Sequence, residues 1–126
     1  MADQKVVVVI GASADRSKFS NKAIRSYVNQ GWRVIPVNPK GGEIEGLPVS
    51  TSVADITDHV DRVTLYLPPA LGLGIVGDVA SVKPDEFYVN PGAESDELVE
   101  AARSHGLDPI LACSIVEIGA SPADYD

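Results

Sequence analysis

Five short apolar runs punctuate the chain, at 5–10 (KVVVVI), 33–38 (RVIPVN), 62–67 (RVTLYL), 86–90 (EFYVN) and 108–112 (DPILA). They are rich in Val, Ile, Leu and Tyr and alternate little, which is the pattern of parallel strands buried on both faces. Between the first two runs, Ala23, Ile24, Tyr27 and Val28 fall on one helical face. Ser20 or Asn21 stands where an N-cap belongs, and Gly31 where such a helix ends. Before the last run, Ser95 precedes Asp96 and Glu97, then Leu98, Ala101 and Ala102, and His105-Gly106 closes a second helix. The stretch 69–81 is also helical by pattern, although Gly72, Gly74 and Gly77 weaken it. Strands alternating with helices, without linker or repeat, predict one domain over 1–126. Its fold class is α/β: a Rossmann-like, doubly wound five-stranded parallel sheet in three α/β/α layers, with strand order 3-2-1-4-5.

In such sheets a ligand sits beyond the carboxyl ends of the strands. Those ends lead here into 11–20, Asn38-Pro39-Lys40-Gly41-Gly42, Leu67-Pro68-Pro69, Asn90-Pro91-Gly92-Ala93 and 113–117. Four of the five begin with Gly or reach a Pro at once. Such residues shape backbone rather than supply reactive groups, so together they predict a binding edge.

Length and composition narrow the classes. At 126 residues the chain is long enough for a real core. It holds no apolar stretch long enough to cross a membrane, and MADQK lacks the apolar core of a signal peptide, so a cytoplasmic location is expected. The single cysteine, Cys113, excludes an internal disulfide. The two histidines, His59 and His105, lie far apart without ligand spacing, and no metal site is expected. Charge is uneven. Residues 16–40 hold Arg16, Lys18, Lys22, Arg25, Arg33 and Lys40, six of the ten basic residues, and no acid, within a chain of net charge −8. A long polyanion would be repelled, which argues against nucleic acid; a small phosphorylated ligand suits a local cationic zone. Lys22, Arg25 and Arg33 are expected to form a solvated helix face.

The first loop decides which nucleotide. After Gly11 come Ala12, Ser13, Ala14, Asp15, Arg16, Ser17 and Lys18. The dinucleotide fingerprint G-x-G-x-x-G needs glycine at positions 13 and 16 and finds Ser and Arg. An NAD site also wants an acid after the second strand, where this chain has Asn38-Pro39-Lys40. Lysine there suits a phosphate on the adenosine ribose, as in NADP or coenzyme A. Ser13, the loop amides, the following helix N-terminus and Arg16 are suited to a pyrophosphate. Both cofactors stay open at this point, with the balance toward coenzyme A, which needs no nicotinamide pocket.

The order VIGAS, RVIPVNPKGGEIEGLPV, LYLPPA, NPGAESDELVEAARSHGL and CSIVEI resembles the stand-alone CoA-binding-domain proteins, themselves similar to the N-terminal domain of the succinyl-CoA synthetase α subunit. The resemblance implies CoA phosphates at Ser13, Ala14, Asp15 and Arg16, and the lysine after the second strand at Lys40. It further implies the fourth-strand loop at Val89, Asn90 and Pro91, and a pantetheine-side wall at Leu67, Pro68 and Pro69. Asp15 departs from it by bringing a negative charge into the phosphate loop. The synthetase's phosphorylated histidine lies in a further domain and has no match here, so ligase chemistry is not expected to carry over.

No nucleophile–base pair is evident. His105 precedes Gly106 at a helix end, and His59 reads as a solvated loop residue. Cys113 stands at the exit of the fifth strand, either as a small buried residue or as a thiol facing the ligand. The expected site comprises Gly11, Ala12, Ser13, Ala14, Asp15, Arg16, Lys18, Asn38, Pro39, Lys40, Leu67, Pro68, Pro69, Val89, Asn90, Pro91, Gly92 and Cys113. The expected function is a coenzyme A or acyl-CoA binding module without catalysis of its own. The competing classes are an NADP-dependent oxidoreductase and the nucleotide-binding half of a two-part acyl-CoA ligase. A homo-oligomer and a separate partner chain both remain open.

Overall fold

The computed structural model describes residues 4–126; positions 1–3, part of the MADQK stretch, lie outside it. The five runs form strands β1 (Val6–Ile10), β2 (Arg33–Val37), β5 (Arg62–Leu65), β6 (Glu86–Val89) and β7 (Pro109–Leu111). All pairings among them are parallel. Between β2 and β5 lies a two-stranded antiparallel hairpin, β3 (Glu43–Ile44) and β4 (Leu47–Pro48), which the apolar pattern did not predict. The helices are α1 (Phe19–Asn29), α2 (Pro69–Leu73), α3 (Val76–Ser81), α4 (Asp96–Ser104) and α5 (Ser114–Glu117). No described helix is long and apolar enough to cross a membrane.

The strand order is β2-β1-β5-β6-β7, which corrects the expected 3-2-1-4-5: the third long strand lies beside β1, not outside β2. Pro36 explains why. It pairs with Val9 in register, and a proline has no N–H for a second neighbour, so its strand belongs at an edge. Among the described residues a single bridge, Val37 to Ser50, closes that edge. The Ser50 N–H donates to the Pro36 carbonyl (2.9 Å), and the Asn38 N–H donates to the Ser50 carbonyl (3.0 Å). The crevice where strand order reverses therefore opens between the exits of β1 and β5.

β1 is buried on both faces. Val8 and Ile10 pack with Val63, Leu65, Val79, Phe87 and Leu98 on the α3/α4 side, whereas Val7 and Val9 pack with Ala23, Ile24, Tyr27 and Ile115 on the α1/α5 side. The 69–81 segment breaks at Gly74 into α2 and α3, as its glycines foretold. Ser95 caps α4 by accepting from the Leu98 N–H (3.0 Å). Neither Ser20 nor Asn21 caps α1; the helix begins earlier, with Lys18 at the cap position and no side-chain cap bond.

The α1/α5 face of β5 carries a polar seam, because Arg62, Thr64 and Tyr66 share one side of an extended segment. Arg62 donates to Glu86 (2.8 Å) and to the Tyr27 hydroxyl (3.1 Å), and its guanidinium stacks over Tyr88. Thr64 meets Ser114 (2.8 Å) and accepts from the Asn90 amide (2.6 Å). Among the described residues no buried side-chain polar atom lacks a partner. A seam of this kind is stable only when it is complete.

Candidate functional site

A cleft of about 510 Å³ opens at the carboxyl ends of β1, β5 and β6, within the range of small-molecule sites. Its geometry begins at Gly11, which has φ +85°. A Cβ there would stand 3.0 Å from both the carbonyl carbon and the oxygen of Tyr66, so the chain needs glycine for its conformation and for the close approach of the two strand exits. Asn38 holds the next step, its amide donating to the Ala12 carbonyl (2.8 Å) while its oxygen accepts from the Lys40 N–H (2.8 Å). The fully buried Asn21 donates to the Ser13 carbonyl (2.9 Å) from the other side. The loop is thus fastened at two carbonyls.

Its amides are left for a ligand. Among the described residues, the N–H groups of Ser13, Ala14 and Arg16, and those of Phe19, Ser20 and Asn21 in the first turn of α1, donate to no protein acceptor. Such a helix start attracts anions. Asp15 does not oppose this at short range, because its carboxylate folds back onto Ser17, accepting from the N–H (3.0 Å) and the hydroxyl (2.6 Å). Those two bonds hold its pKa below the ordinary carboxylate value.

The cationic zone is mostly committed elsewhere. Lys22 pairs with Asp126 and Arg33 with Asp58. Arg25 donates to Asn21 (2.8 Å) and to the Arg16 and Tyr125 carbonyls (2.8 Å each). Lys22 is buried and Arg25 is fastened on three sides, which corrects the expectation that they face solvent. Arg16 turns to Glu45 (3.4 Å) and lines a separate groove with Arg25 and Tyr125. Glu45 sits in the tight turn of the β3/β4 hairpin. Of the six, Lys18 and Lys40 alone make neither an ion pair nor a side-chain hydrogen bond among the described residues.

The cleft brings together Gly11, Ser13, Lys18, Leu67, Pro68, Asn90, Pro91, Gly92 and Cys113. It does not include Ala12, Ala14, Asp15, Arg16, Asn38, Pro39, Lys40, Pro69 or Val89. Of these, Ala12 and Val89 are buried behind the rim, and Pro39 and Lys40 stand exposed past the end of β2. Tyr66, Phe19, Ser20 and Ala93 line it as well and were missed in the sequence. For Tyr66 a signal was present: polar groups at 62, 64 and 66 alternate within a run otherwise read as wholly apolar. Its hydroxyl lies 3.4 Å from Ser114 Oγ, and burial pushes the phenol well up, so it stays neutral and able to donate. Asn90 forms the floor. Its amide donates to Thr64 and to the Leu65 carbonyl (3.0 Å), and its oxygen accepts the Ser114 N–H (2.9 Å). Cys113 is half-buried beside Tyr66.

A family model described as a CoA binding domain matches residues 5–119. The chain is 40% identical over 113 residues to an ADP-forming acetate–CoA ligase I of Archaeoglobus fulgidus, covering 82% of this chain and 16% of the ligase. It is 31% identical to the α subunit of the corresponding Pyrococcus furiosus ligase, covering 94% of this chain and 29% of that subunit. It thus spans less than a third of either relative. A solved structure of a conserved hypothetical protein from Pyrococcus furiosus superposes with a TM-score of 0.81 at 30% identity, covering 91% of this chain and 99% of that one.

Proposed function

The chain belongs to the CoA binding domain family, and from that premise we propose that the cleft between the β1 and β5 exits receives coenzyme A or an acyl-CoA. The diphosphate lies against the free amides of the 13–16 loop and of the first turn of α1, with Lys18 as the charged partner. Lys40 takes the ribose 3′-phosphate. The pantetheine arm crosses the apolar wall of Leu67 and Pro68 toward Asn90, Tyr66 and Cys113, where the neutral Tyr66 hydroxyl is a donor for an amide or thioester carbonyl.

The observation that carries this reading is the coincidence of unused loop amides with the two cations of the zone whose side chains have no partner among the described residues, Lys18 beside the cleft and Lys40 past the second strand. Among the described residues that line the cleft, none is a general base positioned on a nucleophile: His59 pairs with acids elsewhere, and His105 ends α4. The domain therefore acts as a binding module, a carrier or sensor of the CoA pool. Mass spectrometry of small molecules released from the purified protein tests it; recovered CoA supports the reading, and recovered NADP in its place sinks it. A second reading, the nucleotide-binding part of an acyl-CoA ligase completed by another chain, is favoured by the likeness to the ligase α subunit. Acetyl-CoA formation that requires both this chain and a candidate second subunit would separate the two.

A further inference from the structure

At the opposite ends of the strands, before β5 and β6, three side chains converge that the cleft does not use. His59 Nε2 lies 3.2 Å from Asp85 Oδ2 and 3.6 Å from Asp61 Oδ1, and the three ligand atoms all lie within 4.8 Å of one another. The sheet creates this cluster. Arg62 and Glu86 pair in parallel register, which sets Asp61 beside Asp85, and His59 lies two residues upstream of Asp61 on the same side of an extended segment. The Asp61 carboxylate is already aimed, since its other oxygen accepts the Val6 N–H (2.7 Å).

We propose that His59, Asp61 and Asp85 form a binding site for a borderline divalent transition metal, zinc foremost. Geometry, charge and ligand chemistry all favour it. Metal–ligand bonds of about 2.0–2.1 Å in a tetrahedron place ligand atoms about 3.3 Å apart. The two His–Asp separations match that edge and are long for charge-assisted hydrogen bonds, which fall near 2.7–2.9 Å. Next, the two carboxylates share the site with no Lys or Arg pairing with them among the described residues. Arg33 pairs instead with Asp58, and Arg62 with Glu86. A dication relieves the like-charge repulsion between the two carboxylates. Finally, one imidazole with two carboxylates suits zinc or its first-row neighbours, whereas Mg²⁺ and Ca²⁺ favour all-oxygen sites. Water completes the coordination. The sequence spacing of the histidines hid the site, because its remaining ligands come from strand register and not from a second histidine.

The test uses the full chain without a polyhistidine tag, titrated with zinc chloride and followed by thermal unfolding, with cobalt(II) chloride as a visible-absorption probe. The wild type is expected to bind one equivalent, to melt at higher temperature with zinc, and to show no shift with magnesium. Loss of an outer-shell partner costs about 10–100-fold in metal affinity. His59→Ala and Asp85→Asn, each removing a ligand outright from an exposed position, should therefore each weaken binding at least tenfold. No stoichiometric binding by the wild type, or a loss of less than tenfold in either variant, overturns the proposal.

Discussion

Gly11→Ala, set against Gly92→Ala, measures how closely the two strand exits that form the cleft must approach. Both glycines have positive φ, +85° and +93°. An alanine at either position pays roughly 1–2 kcal/mol for the left-handed conformation. Around Gly92 a Cβ meets nothing within 4 Å, so that strain is the whole cost. At Gly11 the Cβ stands 3.0 Å from two backbone atoms of Tyr66, whose N–H is bonded to the Ile10 carbonyl at 3.0 Å. Neither strand can yield without stretching the ladder, and overpacking of this kind costs about 1–3 kcal/mol more. The gain from restricting the unfolded chain is common to both substitutions and cancels. Gly11→Ala should therefore unfold at about 1–3 kcal/mol lower stability than Gly92→Ala, or roughly 4–12 °C lower in melting temperature for a chain of this size. Chemical denaturation at equilibrium, fitted with a common m-value, gives the difference. Equal stabilities would refute the close approach of the β1 and β5 exits, and with it the shape of the cleft.

Other consequences are as direct. Lys40→Ala should remove most of a preference for CoA over dephospho-CoA worth about 1–2 kcal/mol, five- to thirty-fold for so exposed a cation, while leaving dephospho-CoA affinity unchanged; equal wild-type affinities in calorimetry would remove Lys40 from the site. Tyr27→Phe takes the hydroxyl from a buried Arg62 N–H and should cost about 1–3 kcal/mol in denaturant unfolding with CoA affinity unaffected, and a cost near zero would mean the seam repairs itself. With CoA disulfide, the Cys113 thiolate attacks one sulfur and the other half leaves as CoA thiolate. Intact mass should then rise by one CoA, revert with reductant and fail to rise in Cys113→Ser; no adduct on the wild type would mean the thiol does not face the pantetheine end.

How far the sequence could be read follows from where each constraint lives. The five strands and α4 were legible because apolar runs and a Ser95 cap are local signals. The strand order was not, although Pro36 in the second run already demanded an edge. The hairpin at 43–48 was legible in principle, because Glu45-Gly46 joins its two strands directly, but two-residue strands leave almost no apolar pattern. The cleft was half legible. Loop residues such as Gly11, Ser13 and Pro68 announce themselves by type, whereas the diversion of Arg16 to Glu45 is a contact across 29 positions. The charge count at 16–40 does not reveal that acids from elsewhere, Glu45, Asp58 and Asp126, pair with three of its six cations.

Thermal unfolding with CoA, NADP and NAD side by side tests most directly which ligand the cleft takes. A ligand that binds only the native state at about 100 times its Kd stabilises by roughly 2.7 kcal/mol. CoA is predicted to give a shift of that order, NAD none and NADP less than CoA. No shift with CoA, or a larger one with NADP, would contradict the assignment of the β1/β5 cleft to coenzyme A.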